Sequence, residues 1–94
     1  MLLKNLINNL PKEIKSIKVK GLAINSKKVK TGYVFFAING SKQNGEKFIP
    51  EAIKKKAIAI VCSKKCKYYS KNVPVIKTFN IRGLLSEVCS KFYK

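Results

Sequence analysis

Histidine, aspartate and tryptophan are missing from the 94 residues of this chain, arginine occurs once, at Arg82, and only four side chains are acidic. Each absence closes off some chemistry. Without histidine, proton transfer near neutral pH falls to a shifted carboxylate, a cysteine or a lysine. The carboxylates Glu13, Glu46, Glu51 and Glu87 are too few for a magnesium site built on paired acidic residues. No nucleotide phosphate loop is present: Asn39-Gly40-Ser41-Lys42 lacks the second glycine and the Gly-Lys-Ser/Thr ending, and no Gly-x-Gly-x-x-Gly occurs. Taken alone, the chain is a poor candidate for a complete enzyme.

Long apolar runs are missing too. None approaches the ~18 residues that cross a bilayer. Met1–Leu10 is too polar for a secretory signal, so a cytoplasmic chain with no membrane partner is expected. The three cysteines, Cys62, Cys66 and Cys89, are an odd number, which argues against a disulfide framework. With no histidine to join them they fall short of the closed ligand set of a structural zinc site. Cys62 and Cys89 read as small core residues on a strand and a helix.

What is present in excess is lysine, which carries nearly all of a net charge of +17. Lys, Ile and Asn are abundant together, as A/T-rich codons would give. A site built to read nucleic acid favours arginine forks and stacked aromatics over scattered lysines. The lysines fall in many segments, so the charge attracts polyanions without specificity, a diphosphate among them. The hydrophobic content of 46% belongs to a globular chain, and the length to one small domain with a modest core.

Leu2, Leu3, Leu6, Ile7 and Leu10 have helical spacing, which predicts a short amphipathic helix over residues 2–10, stopped by Pro11. Lys18 to Asn25 reads as a strand, Lys27 to Thr31 as a charged connection and Gly32 as a turn. Tyr33 to Ile38 is rich in β-formers and apolar on both faces, as a central strand is. Asn39-Gly40 signals a turn, and Pro50 suits the first turn of a helix whose apolar face is Ile49, Ala52 and Ile53. Ala57 to Cys62 is a second buried strand. Ser63 to Asn72 is a basic loop, or holds a short helix around Tyr68-Tyr69. Val73 to Ile76 is a short strand placed near a sheet edge by Pro74. Asn80 caps a last helix whose stripe runs Ile81, Leu84, Leu85, Val88, Cys89 and Phe92. The expected fold class is α/β: a small mixed or mostly parallel sheet of about four strands, flanked by helices.

The polar loop Asn39 to Gly45, entered straight from a buried strand, is where backbone groups could hold a polar ligand. Gly40 and Gly45 would let its backbone approach that ligand closely. Ser26 follows a strand and either ties the turn before Lys27 or points its hydroxyl at a ligand beside the strand's carboxyl end. Phe35-Phe36 and Tyr68-Tyr69 are able to stack on bases, but Phe35 and Phe36 lie inside an apolar run and are expected in the core.

Ile24-Asn25-Ser26-Lys27, Gly32 to Ala37, Gly40, Asn44-Gly45, Phe48-Ile49 and Ala52 occur in an order and spacing that resemble the N-terminal domain of the Mur ligases. Ala57 to Val61, Val73 to Ile76 and Phe92-Tyr93 continue the likeness over nearly the whole chain. It is nearest to the ligases that add the third amino acid to UDP-N-acetylmuramoyl-L-alanyl-D-glutamate in building the cell-wall peptide. Phe92-Tyr93 favours these over the D-alanyl-D-alanine-adding ligases, which share much of the pattern. The resemblance implies that residues 1–94 bind the UDP end of a UDP-N-acetylmuramoyl dipeptide, with contacts at Ile24, Ser26, Ser41, Lys42 and Gln43. It implies no catalytic residue and no metal or cofactor here. ATP, Mg2+ and the amino-acid pocket would belong to the central and C-terminal domains of a parent ligase, which could also act as partners in trans. A fragment, a split gene and a decayed remnant all fit this picture. Asn25, Tyr33 and Asn44 each stand where the pattern has Asp, and Lys27 stands where it has Arg, which removes a bidentate fork. The competing reading is a free-standing basic module for nucleic acid or another polyanion, with no specific nucleic-acid partner expected under the first.

Overall fold

In the computed structural model, which describes residues 1–40 and 44–93, four strands lie side by side in the order they occur in the chain. They are β1 (Gly21–Ala23), β2 (Tyr33–Ala37), β3 (Ala59–Ser63) and β4 (Val75–Thr78). All three pairings are parallel, with Leu22 beside Val34, Phe35 beside Ile60 and Val61 beside Ile76. The sheet is therefore the parallel alternative of the two expected. Parallel neighbours need crossovers. Residues 24–32 supply the first through a 3-10 turn at Ser26–Lys28, and the short helix α1 (Ile49–Lys54) lies on the second. Residues 64–74 supply the third without a helix, so none forms at Tyr68-Tyr69. The longest helix, α2 (Ile81–Phe92), follows β4.

Both faces of the sheet are covered, which is why its central strands are apolar at consecutive positions up to Ser63. Val34, Phe36, Ala59 and Val61 face a core with Leu3, Leu6, Ile7, Leu10, Val19 and Val88. Phe35, Ala37, Ile60 and Cys62 face the other, with Val29, Ile49, Ala52, Ala57 and Cys66. Phe35 and Phe36 are core residues, as their setting implied. Cys62 is buried on β3 and Cys89 is half-buried on α2. Burial, joined by a hydrogen bond with Cys66, pushes the Cys62 thiol up to about 12, so it is neither a ready nucleophile nor a ready metal ligand.

Several elements depart from their sequence reading: β3 begins at Ala59 and not Ala57, and β4 runs Val75–Thr78, after Pro74, and not Val73–Ile76, while the N-terminal segment and first strand differ more. Residues 2–10 form no α-helix; only Leu3–Asn5 make a 3-10 turn, and Lys12–Ile14 make another. The amides of Leu3 and Lys4 instead donate sideways to the carbonyls of Ile17 and Lys15, at 2.8 and 3.1 Å, and Leu2 bridges to Lys18. Asn5, Asn8 and Asn9 are weak helix formers, and Asn9 sits at φ 61°, which a helix cannot use. The leucines are buried all the same. The first strand is also shorter than expected, because Lys18–Lys20 are held by these N-terminal contacts and by the 2.9 Å bond from Lys20 N–H to the Gly32 carbonyl.

The ends of both helices match the residues found there. Asn80 caps α2, its Oδ1 accepting from Gly83 N–H at 3.0 Å. At the end of α1, Ala57 N–H reaches the Ala52 carbonyl and Lys56 N–H the Ile53 carbonyl, at 3.1 and 3.0 Å, with Lys56 at φ 75°. On α2 only Val88 is fully buried; Leu84 and Leu85 are partly buried against the same core, short of the full burial their stripe implied. Among the described residues no helix is long and apolar enough to cross a membrane.

Candidate functional site

The carboxyl ends of β1 and β2 open into a cavity of about 460 Å³. One wall is the segment that leaves β1, Ile24 to Lys27. Phe35 and Ile38 form the floor from β2, and Asn44, Gly45, Lys47 and Phe48 close the far side. The strands run in chain order with no reversal, so the crevice is marked as a candidate by its concavity and lining and not by a topological switch point.

Each wall has a local cause. Asn25 turns the chain out of β1: its Oδ1 accepts from Lys27 N–H at 2.9 Å, starting the 3-10 turn. The turn is thus tied by Asn25, which leaves the Ser26 hydroxyl for other work. Ser26 is 95% buried, and its hydroxyl bonds the Glu51 carboxylate on the first turn of α1. That bond pins the β1 exit to the helix behind it. The polar loop is pinched at its base, where Asn39 and Asn44 form an antiparallel bridge, Gly45 N–H meets the Ile38 carbonyl at 3.0 Å and Glu46 N–H meets Asn39 Oδ1 at 3.2 Å.

The lining combines two chemistries. Ile24 and Phe48 are large apolar side chains left 60% and 45% exposed. Lys27 and Lys47 bring ammonium groups to the rim. A flat, partly apolar group and an attached anion would both find partners here. Of the sequence-derived contacts, Ile24 and Ser26 are brought together on one wall. Ser41, Lys42 and Gln43 lie outside the described residues. Lys47, Phe48 and Glu51 were not singled out as site residues. Glu51 looked like an ordinary first-turn helix acid, and its bond to Ser26 spans residues too distant in sequence to be read from spacing. Among the described residues no group of three or more Cys, His or acidic side chains converges as a metal site would require.

Residues 18–93 match the profile described as Mur ligase family, catalytic domain. The chain is 42% identical over 79 residues to the UDP-N-acetylmuramyl-tripeptide synthetase of Borrelia garinii subsp. bavariensis, covering 82% of this chain and 16% of that protein. It is 34% identical over 93 residues to the UDP-N-acetylmuramoyl-L-alanyl-D-glutamate–2,6-diaminopimelate ligase 2 of Clostridium acetobutylicum, covering 99% of this chain and 19% of that one. Among solved structures, MurF ligase from Thermotoga maritima in complex with ADP superposes with a TM-score of 0.63 and 27% identity, over 78% of this chain and 16% of that chain. The chain therefore spans less than a fifth of the length of these relatives. With a matching profile over most of its length, relatives above 30% identity and a shared parallel α/β fold, the chain belongs to the Mur ligase family.

Proposed function

We propose that these residues are the N-terminal domain of a ligase that adds the third amino acid to UDP-N-acetylmuramoyl-L-alanyl-D-glutamate, a precursor of cell-wall peptidoglycan, and that they hold the uridine diphosphate end of that substrate in the cytoplasm. The observation that carries the reading is the cavity at the ends of β1 and β2. It offers apolar surface at Ile24 and Phe48 for a pyrimidine ring and ammonium groups at Lys27 and Lys47 for a diphosphate. The names of the two curated relatives, a muramyl-tripeptide synthetase and a muramoyl-dipeptide ligase, support the third-residue step over the D-alanyl-D-alanine step.

In this reading ATP and Mg2+ belong to the rest of the parent ligase; among the described residues the cavity lining holds no carboxylate. The part played by residues 1–94 is to grip and orient the nucleotide, so that the distant peptide end is presented for amide formation.

An amide chemical-shift titration of the 94-residue chain tests this, with UMP as the minimal ligand and inorganic pyrophosphate as the charge control. UMP should move the amides of residues 24–27 and 44–48, and pyrophosphate should not reproduce the pattern. Affinity should be low, because an open, small-ligand site recovers only part of its binding energy. Shifts spread over lysine-rich segments and equal for both ligands would leave only a basic polyanion-binding module.

A further inference from the structure

The Ser26–Glu51 bond fixes which way the Ser26 hydroxyl points. An ionised carboxylate has only acceptor sites, so in this pair the serine must donate. Its single proton is then committed to Glu51, away from the cavity that Ser26 also lines. Whatever part of Ser26 Oγ meets the cavity presents lone pairs and no proton. A phosphate oxygen, itself an acceptor, finds no partner there; an N–H or O–H does. Among the described lining residues the cationic donors for phosphate are Lys27 and Lys47, both exposed.

Resting on the nucleotide reading above, we infer that Glu51 is a positioning residue that makes Ser26 a hydrogen-bond acceptor, so that the buried wall of the site selects the nucleoside, through a base N–H or a ribose hydroxyl, and leaves the phosphates to the exposed lysines. This reverses the role that a serine beside a diphosphate would ordinarily be given. It also gives the ligand a direction. The nucleoside lies inward against Ser26, and the phosphates lead outward. Ser26 is 95% buried and already satisfied by Glu51, so a ligand without a donor at that point gains nothing from it, whereas an N–H or O–H gains a hydrogen bond.

The experiment compares uridine, which carries no charge, with pyrophosphate, on the 94-residue chain and on Ser26→Ala, Glu51→Gln and Glu51→Met. The two Glu51 variants have the same net charge. Only the glutamine keeps an acceptor for the hydroxyl. Ser26→Ala should weaken uridine by about 3–10-fold, the size of one hydrogen bond, and leave pyrophosphate within about 2-fold. Glu51→Gln should bind uridine like the parent chain. Glu51→Met frees the hydroxyl to donate and should bind pyrophosphate more tightly, and uridine less tightly, than Glu51→Gln does. Pyrophosphate binding that is weakened by Ser26→Ala, or Glu51→Met behaving like Glu51→Gln, overturns the inference while the nucleotide reading stands. If UMP moves no cavity amide in the parent chain, the nucleotide reading fails instead. The hydroxyl's direction is then decided without ligand: a slowly exchanging Ser26 hydroxyl proton, kept in Glu51→Gln and lost in Glu51→Met, upholds it, and absence of that resonance in the parent chain overturns it.

Discussion

Gly40 and Gly45 bracket the same polar loop and look interchangeable in the sequence, yet a methyl group added at each meets different surroundings. At Gly45 a Cβ would lie 2.5 Å from the Ile38 carbonyl oxygen, 2.6 Å from the Ile38 nitrogen and 3.0 Å from the Ala37 carbonyl carbon. All three are backbone atoms at the end of β2, and none can rotate aside. At Gly40 the nearest atom is an Arg82 guanidinium nitrogen at 3.7 Å, an ordinary contact with the tip of a flexible side chain. Gly45→Ala must push the loop's base off β2. That movement breaks the 3.0 Å bond from Gly45 N–H to the Ile38 carbonyl and disturbs the bond from Glu46 N–H to Asn39.

Overpacking of this kind costs about 1–3 kcal/mol and a lost backbone hydrogen bond about 1 kcal/mol more. Gly45→Ala should therefore lose about 2–4 kcal/mol, and Gly40→Ala should stay within about 0.5 kcal/mol of the parent. For a domain of this size each kcal/mol moves Tm by about 4–8 °C, so the two variants separate widely in a thermal melt followed by circular dichroism. The functional readout follows from the same geometry. Because Asn44, Gly45 and Phe48 form one wall of the cavity, any UMP-induced shifts at 24–27 should weaken in Gly45→Ala and persist in Gly40→Ala. Equal Tm values for the two variants would mean that the close approach of Gly45 to β2 does not exist in solution.

The partial burial of Leu84 and Leu85 gives a second test. Val88→Ala, at the one fully buried position of α2, should cost about 2 kcal/mol, and Leu85→Ala no more than that in spite of its larger side chain; a urea titration gives both values. Cys62 gives a third. Its folded-state pKa lies near 12, above its ordinary value of 9.0, so above the latter the unfolded chain releases the proton and the folded chain keeps it. Stability should be intact below that value and fall as pH rises from there towards 12, and Cys62→Ala should flatten this alkaline decline, read from denaturation midpoints across pH.

Strand and helix placement was legible wherever one cause dominated. β2 and β3 are apolar at consecutive positions because both faces are covered, and two-sided burial leaves a mark that spacing cannot disguise. The α2 stripe and its Asn80 cap agree, so that helix was read correctly to its ends. The N-terminal segment failed for a definable reason. Leu3, Leu6, Ile7 and Leu10 do all face the core, but a spacing that serves an α-helix also serves a 3-10 turn and a loop laid across a sheet. What chose between them was the bonding of Leu3 and Lys4 to residues 15–17, a tertiary contact that local propensity does not encode.

The site divides along the same line. Ile24 and Ser26 were legible as candidates because they follow directly from a strand end, and both line the cavity there. Glu51 was not, because what matters about it is its hydrogen bond to Ser26, made only once β1's exit and α1 pack together. The two kinds of information bear on different properties. Position along a strand says where a ligand would lie. The partner on the far side of a buried hydroxyl says which face of that hydroxyl the ligand meets, and therefore whether it must bring a proton or accept one. In a chain with 21 basic residues, attraction to anions is available almost anywhere, so discrimination has to come from groups that refuse an anion. In the proposed site Ser26, buried and bonded to Glu51, is the group given that role.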